Sequence, residues 1–76
     1  MKAVSVKPLY ERRDGTRVVD AFIIANETPA ALPTTGENIA GLRNTDTFAP
    51  FSMIFIVGNA DTKLYIANED GAFVGQ

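Results

Sequence analysis

The side chains that could do chemistry are few, because the chain contains neither histidine nor cysteine. A Ser-His-Asp triad, a Cys-His pair and thiol redox chemistry are therefore excluded. Glu69 and Asp70 form the tightest pair of carboxylates, the type of pair that a glycosidase uses. Adjacent residues point in different directions, however, and the Asn68-Glu69-Asp70-Gly71 stretch is typical of a solvated turn. The sequence thus predicts a protein that is not an enzyme, and it identifies no catalytic residue.

Two oxygen-rich stretches, Asp14-Gly15 and Asn59-Ala60-Asp61, raise the question of a calcium site. Neither stretch has the alternating ligand spacing of an EF-hand, and hairpin turns explain both. The commonest zinc ligands are missing together with histidine and cysteine. We therefore expect no metal and no cofactor.

The densest charge cluster lies at a predicted hairpin tip and contains Arg12, Arg13 and Arg17. Guanidinium groups bind carboxylates in a bidentate manner, so the cluster suits an acidic partner surface. A solvated hairpin is the simpler interpretation of the same residues. The whole chain carries seven basic and nine acidic residues, for a net charge of −2. A nucleic-acid-binding protein normally shows a basic excess, so we expect no nucleic acid partner.

Residues 32–36 read LPTTG and match the Leu-Pro-any-Thr-Gly signal of sortase substrates. Such a signal works only before a membrane-spanning stretch and a basic tail. No apolar run is longer than Met53–Val57, which is far shorter than the ~20 residues that cross a bilayer. The N-terminal residues lack the apolar segment of an export signal. We therefore expect no membrane association, and we interpret LPTTG as a loop in which Leu32 packs against the sheet.

Alternating apolar and polar residues flank an irregular middle segment and predict strands on both sides of it. The predicted strands cover Ala3–Tyr10, Thr16–Ala25, Phe51–Val57, Thr62–Ala67 and Ala72–Val74. Asp14-Gly15 predicts a tight hairpin between the first two strands. Pro8 cannot donate a backbone hydrogen bond, which places the first strand at a sheet edge.

The strand pattern predicts a single β domain with three parts. Residues 1–25 form an N-terminal hairpin, residues 26–50 an irregular loop, and residues 51–76 a C-terminal strand meander. Prolines exclude a long helix in the loop, whereas the spacing of Thr34 and Glu37 is compatible with one helical turn over Glu37–Ala40. The predicted fold is all-β, with about five short, mainly antiparallel strands in a small barrel or sandwich.

The Phe51–Val57 run is apolar at nearly every position, which predicts a strand covered on both faces. Either the strands close into a barrel, or a second subunit covers one face. A chain of 76 residues buries only about 60% of its surface on folding, so we expect a homo-oligomer or docking on a larger partner. The candidate interface residues are Phe51, Met53, Phe55, Arg12, Arg13, Arg17 and Leu32.

The segment from Thr28 to Val74 resembles short tailed-phage and prophage proteins of the head fibre or capsid decoration type. Four stretches carry the resemblance, in this order: TPAALPTTG (28–36), IAGL (39–42), FAP (48–50) and KLYIANEDGAFV (63–74). The resemblance implies a non-enzymatic virion protein that binds the capsid or another virion protein, or that self-associates. It also implies a location in the virion, and in the host cytoplasm during assembly. An alternative is a small intracellular β adaptor that binds a peptide by strand addition at a free sheet edge.

Overall fold

The structure, a computed structural model, describes residues 1–58 and 60–76. Six strands form one mixed sheet. They are β1 (Lys2–Glu11), β2 (Arg17–Ala25), β3 (Thr47–Phe48), β4 (Met53–Ile56), β5 (Leu64–Ala67) and β6 (Phe73–Gly75). No helix in the described part of the chain is long and apolar enough to cross a membrane.

The sheet has the order β1-β2-β4-β5-β6, and β3 pairs with the same β2 strand that β4 pairs with. β1 runs antiparallel to β2 through the hairpin at Asp14-Gly15. β3 and β4 both run parallel to β2, because the chain between Ala25 and Thr47 returns to the starting end of β2 before it pairs again. β4, β5 and β6 then form an antiparallel meander.

One face of the sheet, the covered face, carries the hydrophobic core. Its buried strand residues are Val19, Ala21, Ile23, Ala25, Ile54, Ile56, Tyr65 and Ala67. The loop over residues 26–46 covers this face with Ile39, which is buried, and with Leu42, which packs against the core. Phe48 and Phe73 belong to the same core cluster and meet edge to face, with their ring centroids 4.8 Å apart. The loop therefore takes the place of a second layer of secondary structure.

Ser52 joins the two segments that pair with the same edge of β2. β3 occupies this edge at Val18 and Val19, and β4 occupies it from Phe22 onward. The buried Ser52 hydroxyl accepts a hydrogen bond from the Ala21 amide (3.2 Å) and donates one to the Val19 carbonyl (3.3 Å). The Ser52 hydroxyl thus gives the Ala21 amide a partner at the gap between β3 and β4, and it is a second donor to the Val19 carbonyl, which also accepts from the Ala49 amide (2.8 Å).

The all-β prediction is confirmed, as is the edge position of the strand that contains Pro8. The barrel alternative is wrong, because β1 and β6 lie at opposite edges of an open sheet. The strands are mainly antiparallel, as predicted. The two parallel pairings of β2 were not predicted, and β3 lies within the predicted loop. The predicted turn between β4 and β5 includes Asn59, which lies outside the described residues.

The predicted helical turn over Glu37–Ala40 is replaced by a β-turn. The Ile39 amide donates to the Gly36 carbonyl (3.1 Å), and Asn38 adopts a positive φ of 63°. Thr35 accepts a hydrogen bond from the Glu37 amide. A left-handed residue in the second half of the turn ends any helical path at once. The turn brings the Ile39 side chain to the core.

Candidate functional site

The opposite face of the sheet, the open face, is also apolar. The registers of the strands place its residues in two rows that cross β2, β4, β5 and β6. The first row contains Phe22, Met53, Ile66 and Val74, and the second row contains Ile24, Phe55 and Leu64. Directly paired residues on adjacent strands share a face, so the two rows form one continuous apolar surface.

The open face is accessible to solvent. Phe55 is 41% exposed and Val74 is 48% exposed, whereas the other five members are half-buried by their neighbours in the sheet. The buried residues that alternate with them, such as Ile54 and Ile56, are almost fully covered. A contiguous apolar surface of this kind on a small protein indicates a site of interaction with another molecule.

The prediction that Phe51–Val57 is covered on both faces is therefore wrong for this chain alone. The strand is shorter, Met53–Ile56, and only its Ile54 and Ile56 side chains are buried. The loop that covers the first face has no counterpart on the second face within the described residues. The remaining sequence-based alternative, cover by a second subunit, stays a prediction.

Phe51 precedes the open face and is the most exposed large apolar residue of the described chain, at 78%. Its φ of 71° lies in the left-handed region, where a bulky side chain is a genuine outlier. Its amide donates to the Ala67 carbonyl (2.9 Å), which fixes the backbone of Phe51 against β5. An exposed aromatic ring on a strained backbone is a feature that recurs at binding sites.

The margins of the open face carry charged side chains. Lys7 pairs in register with Asp20 on the β1 side, in the row that precedes Phe22. Glu69 and Asp70 lie in the β5–β6 turn on the far side of the sheet, and both are exposed. In this turn, Asn68 Oδ1 accepts hydrogen bonds from the Asp70 amide (2.9 Å) and the Ala72 amide (3.0 Å). The two acidic residues therefore occupy a well-defined position at one corner of the face.

The predicted arginine cluster is divided by the structure. Arg17 donates two hydrogen bonds to Asp46, from Nε to Oδ1 (2.9 Å) and from Nη2 to Oδ2 (2.6 Å). Arg12 donates to Thr47 Oγ1 (2.7 Å) across the same junction. Arg13 lies exposed at the hairpin tip. Two of the three arginines thus hold β3 and its preceding turn against the hairpin, and Arg13 is exposed and takes no part in this junction.

Asp46 is the anchor of this junction and is completely buried. Besides the two bonds from Arg17, its Oδ2 accepts a hydrogen bond from the Arg43 amide (2.9 Å). The Arg17 hydrogen bonds, assisted by the Arg43 amide, hold the pKa of the Asp46 carboxyl below its usual value against the opposing effect of burial. The carboxylate is therefore ionised at neutral pH, and its role is structural.

Leu32 does not anchor the LPTTG segment, contrary to expectation, because it is 36% exposed. Ile39 and Leu42 anchor the loop instead. The backbone of Gly36 also holds the segment in place, since its amide donates a hydrogen bond to the Asp46 carbonyl (2.9 Å). A side chain at position 36 would collide with the Arg43 carbonyl and with Leu42 Cβ. LPTTG is thus part of the cover of the core.

Sequence reasoning found the β4 part of the open face and missed the rest. Met53, Phe55 and the neighbouring Phe51 were candidates because the run that contains them is apolar at successive positions. The contributions of β2, β5 and β6 carry the same signal in a weaker form. In β2, both Phe22 and Ile24 alternate with core residues that are themselves apolar, which is the pattern of a strand with two apolar faces.

Comparison with known proteins adds no assignment: no protein-family model, curated protein or solved structure matches the chain. The open face is therefore interpreted from its geometry and chemistry. It presents two apolar rows, an exposed aromatic residue at one end, and charged margins. These features suit the binding of a protein surface.

Proposed function

We propose that the protein is a non-enzymatic structural protein of a phage or prophage virion, of the head decoration or head fibre type. The proposal rests on the accessibility of the open face. A small protein that leaves two apolar rows accessible needs a protein partner to cover them. The virion context rests on the resemblance of residues 28–74 to head-associated phage proteins.

The position of the resembling segments supports an assembly role. The LPTTG stretch and the IAGL stretch belong to the loop that covers the core, and Ile39 is buried there. The KLYIANEDGAFV stretch forms β5, the acidic turn and most of β6. The resembling segments therefore build both the cover of one face and half of the open face.

Peptide binding by strand addition is less well supported. Strand addition needs a long, flat and unpaired edge. The outer edge of β1 is long enough beyond Lys2, which forms an isolated bridge with Ala40. Pro8 lies in this edge, and two β-bulges interrupt its register. Prolines and bulges are the devices by which proteins prevent pairing at an edge. The other edge strand, β6, has only three residues.

The direct test is the protein composition of purified particles. Particles from the phage or induced prophage that encodes this chain are banded on a density gradient and analysed by quantitative mass spectrometry. We expect the protein to co-sediment with the major capsid protein at a fixed ratio through successive gradients. Its absence from particles, or a ratio that falls with each gradient as for a contaminant, would contradict the proposal.

A binding experiment complements the particle analysis. Purified protein is added to empty capsids that lack it, and the bound fraction is measured by sedimentation. We expect saturable binding with a defined number of copies per capsid. Recovery of a host protein as the partner, without any virion protein, would instead favour the adaptor function.

A further inference from the structure

We infer that the open face binds a second copy of this chain, so that two sheets pack face to face about a two-fold axis parallel to β4. This inference names the partner of the surface on which the proposed function rests. Face-to-face packing of two sheets is the usual way to bury an apolar sheet face. It would supply the second layer that the single sheet lacks on this side.

The apolar pattern of the open face is symmetric about β4, which is what a two-fold interface requires. On one side of β4, β2 contributes Phe22 and Ile24; on the other side, β5 contributes Ile66 and Leu64 in the same two rows. A two-fold axis along β4 exchanges the two sides. Each apolar residue of β2 then faces an apolar residue of β5 in the other copy, and Phe55 faces Phe55 near the axis.

The charged margins distinguish this axis from the alternative. With the axis parallel to β4, the β1 margin of one copy lies over the β6 margin of the other. Lys7 then approaches the acidic turn at Glu69 and Asp70, because these residues flank the same end of the first row. An axis perpendicular to the strands would place β1 over β1 and bring Lys7 toward Lys2. Asp20, the exposed register partner of Lys7, comes over the same turn and offsets part of this attraction. The parallel axis is favoured because it avoids the contact between two lysines.

The size of the open face is sufficient for a weak dimer. Four strands about 4.8 Å apart and two residue rows about 6.8 Å apart give roughly 260 Å² of flat sheet per copy. With side-chain relief and margins, two copies bury less than about 1,000 Å² in total, which is the size of a weak interface. We therefore expect a weak dimer, with a Kd on the order of 100 μM.

The first experiment measures association in solution by sedimentation equilibrium between about 1 and 500 μM, a range set by the expected Kd. We expect a reversible monomer–dimer equilibrium. Phe55→Lys places a charge near the two-fold axis and should raise the Kd by about 30-fold or more, as for the centre of an interface. Leu32→Lys is the matched control: Leu32 is also an exposed apolar residue, but it lies in the loop over the opposite face.

The second experiment tests the axis by charge reversal. Lys7→Glu alone, and Glu69→Lys with Asp70→Lys, should each weaken the homodimer about 3- to 10-fold. An equimolar mixture of the two variants should form a heterodimer about as tight as the wild-type dimer, because both margin contacts regain opposite charges. Arg13→Glu has the same charge change as Lys7→Glu at the hairpin tip, and it should gain no such rescue.

The inference is overturned if the wild type is a monomer across the whole range, or if Leu32→Lys disrupts association as strongly as Phe55→Lys. Equal rescue of Lys7→Glu and Arg13→Glu would overturn the proposed axis. Circular dichroism of each variant establishes that it is folded, so loss of association is not confused with unfolding. Because these measurements use only the isolated chain, their failure is distinct from absence of the protein from virions.

Discussion

The two faces of the sheet differ in how they are covered far more than in which residue types they carry. Ile23 and Ile54 are completely buried on the covered face, whereas the next residues in register, Ile24 and Phe55, remain partly accessible on the open face. The difference arises from the loop over residues 26–46, which crosses one face only. In a sheet this small, the path of one connection decides which apolar residues become core and which become surface.

The strongest test of this contrast compares neighbouring residues of β4. Ile54→Ala should lower the free energy of unfolding by about 2–5 kcal/mol, because it leaves a cavity in the core. Phe55→Ala should lower it by less than about 1 kcal/mol, as expected for a surface position. Both values come from urea denaturation followed by circular dichroism, at a protein concentration below the dimer Kd.

A protein of this size has a total stability of about 4–11 kcal/mol, so Ile54→Ala can leave little folded protein. Ile54→Val provides a milder change, with an expected loss of about 0.5–1.5 kcal/mol. A loss of about 2 kcal/mol or more for Phe55→Ala at low concentration, in the range of a buried position, would break the contrast between the faces. It would mean that the open face is already covered within the monomer.

The second test removes the Arg17–Asp46 ion pair, which holds the loop over the core. Asp46→Asn takes away the charged partner of Arg17 and should lower the free energy of unfolding by roughly 3 kcal/mol. This is the lower end for a broken buried ion pair, because 17% of the Arg17 side chain is exposed. Asp61→Asn, at an exposed position, is the control and should cost less than about 0.5 kcal/mol. A cost as small as the control's would show that the loop is held by Ile39 and Leu42 alone.

The same carboxylate predicts a dependence of stability on pH. The pKa of Asp46 is lowered in the folded protein from the ordinary 3.8, mainly by the Arg17 hydrogen bonds. Its contribution is therefore complete above about pH 4 and is lost as the pH falls through the lower, folded-state pKa. Urea denaturation of the wild type at a series of pH values below 5 should show this loss, and Asp46→Asn should show a flatter profile.

A third test concerns Gly36, where the backbone of the loop packs closely against its neighbours. Gly36→Ala should destabilise the protein by about 1–3 kcal/mol, because the added methyl group would meet the Arg43 carbonyl and Leu42 Cβ. Gly15→Ala is an informative comparison, since position 15 has open space around it but a φ of 89°. Its cost should be about 1 kcal/mol and should come from backbone strain alone. Melting temperatures from circular dichroism would rank the two changes, and a smaller cost at position 36 would contradict the packing argument.

The strands could be predicted from the sequence because their signals are local. Alternation places β2 and β5 within two residues of their observed ends, and Asp14-Gly15 marks the first hairpin. Pro8 indicates the edge by the chemistry of a single residue. The apolar Met53–Val57 run also predicts apolar side chains on both faces of β4, because that inference depends only on the residues being apolar at successive positions.

The topology could not be predicted, because it depends on contacts between distant residues. The parallel pairing of β2 with β3 and β4 depends on where the 26–46 loop crosses the sheet, and this path is fixed by the Arg17–Asp46 pair, 29 residues apart. Nothing in the local sequence joins these two residues. The burial of Ile39 and the exposure of Leu32 follow from the same path, so an apolar residue beside a turn motif was a misleading signal.

The prediction with the smallest expected effect concerns Phe51, and it separates backbone strain from binding. Because φ is 71° at this position, Phe51→Gly relieves backbone strain and should stabilise the monomer by about 1 kcal/mol relative to Phe51→Ala, which removes the ring and keeps the strain. Both variants lose the exposed aromatic ring and should bind the partner of the open face equally weakly. Denaturation midpoints at low concentration measure the first effect, and sedimentation at high concentration measures the second. If Phe51→Gly were no more stable than Phe51→Ala, the backbone at this position would be unstrained, and the exposed ring alone would remain as the reason to place Phe51 in the interface.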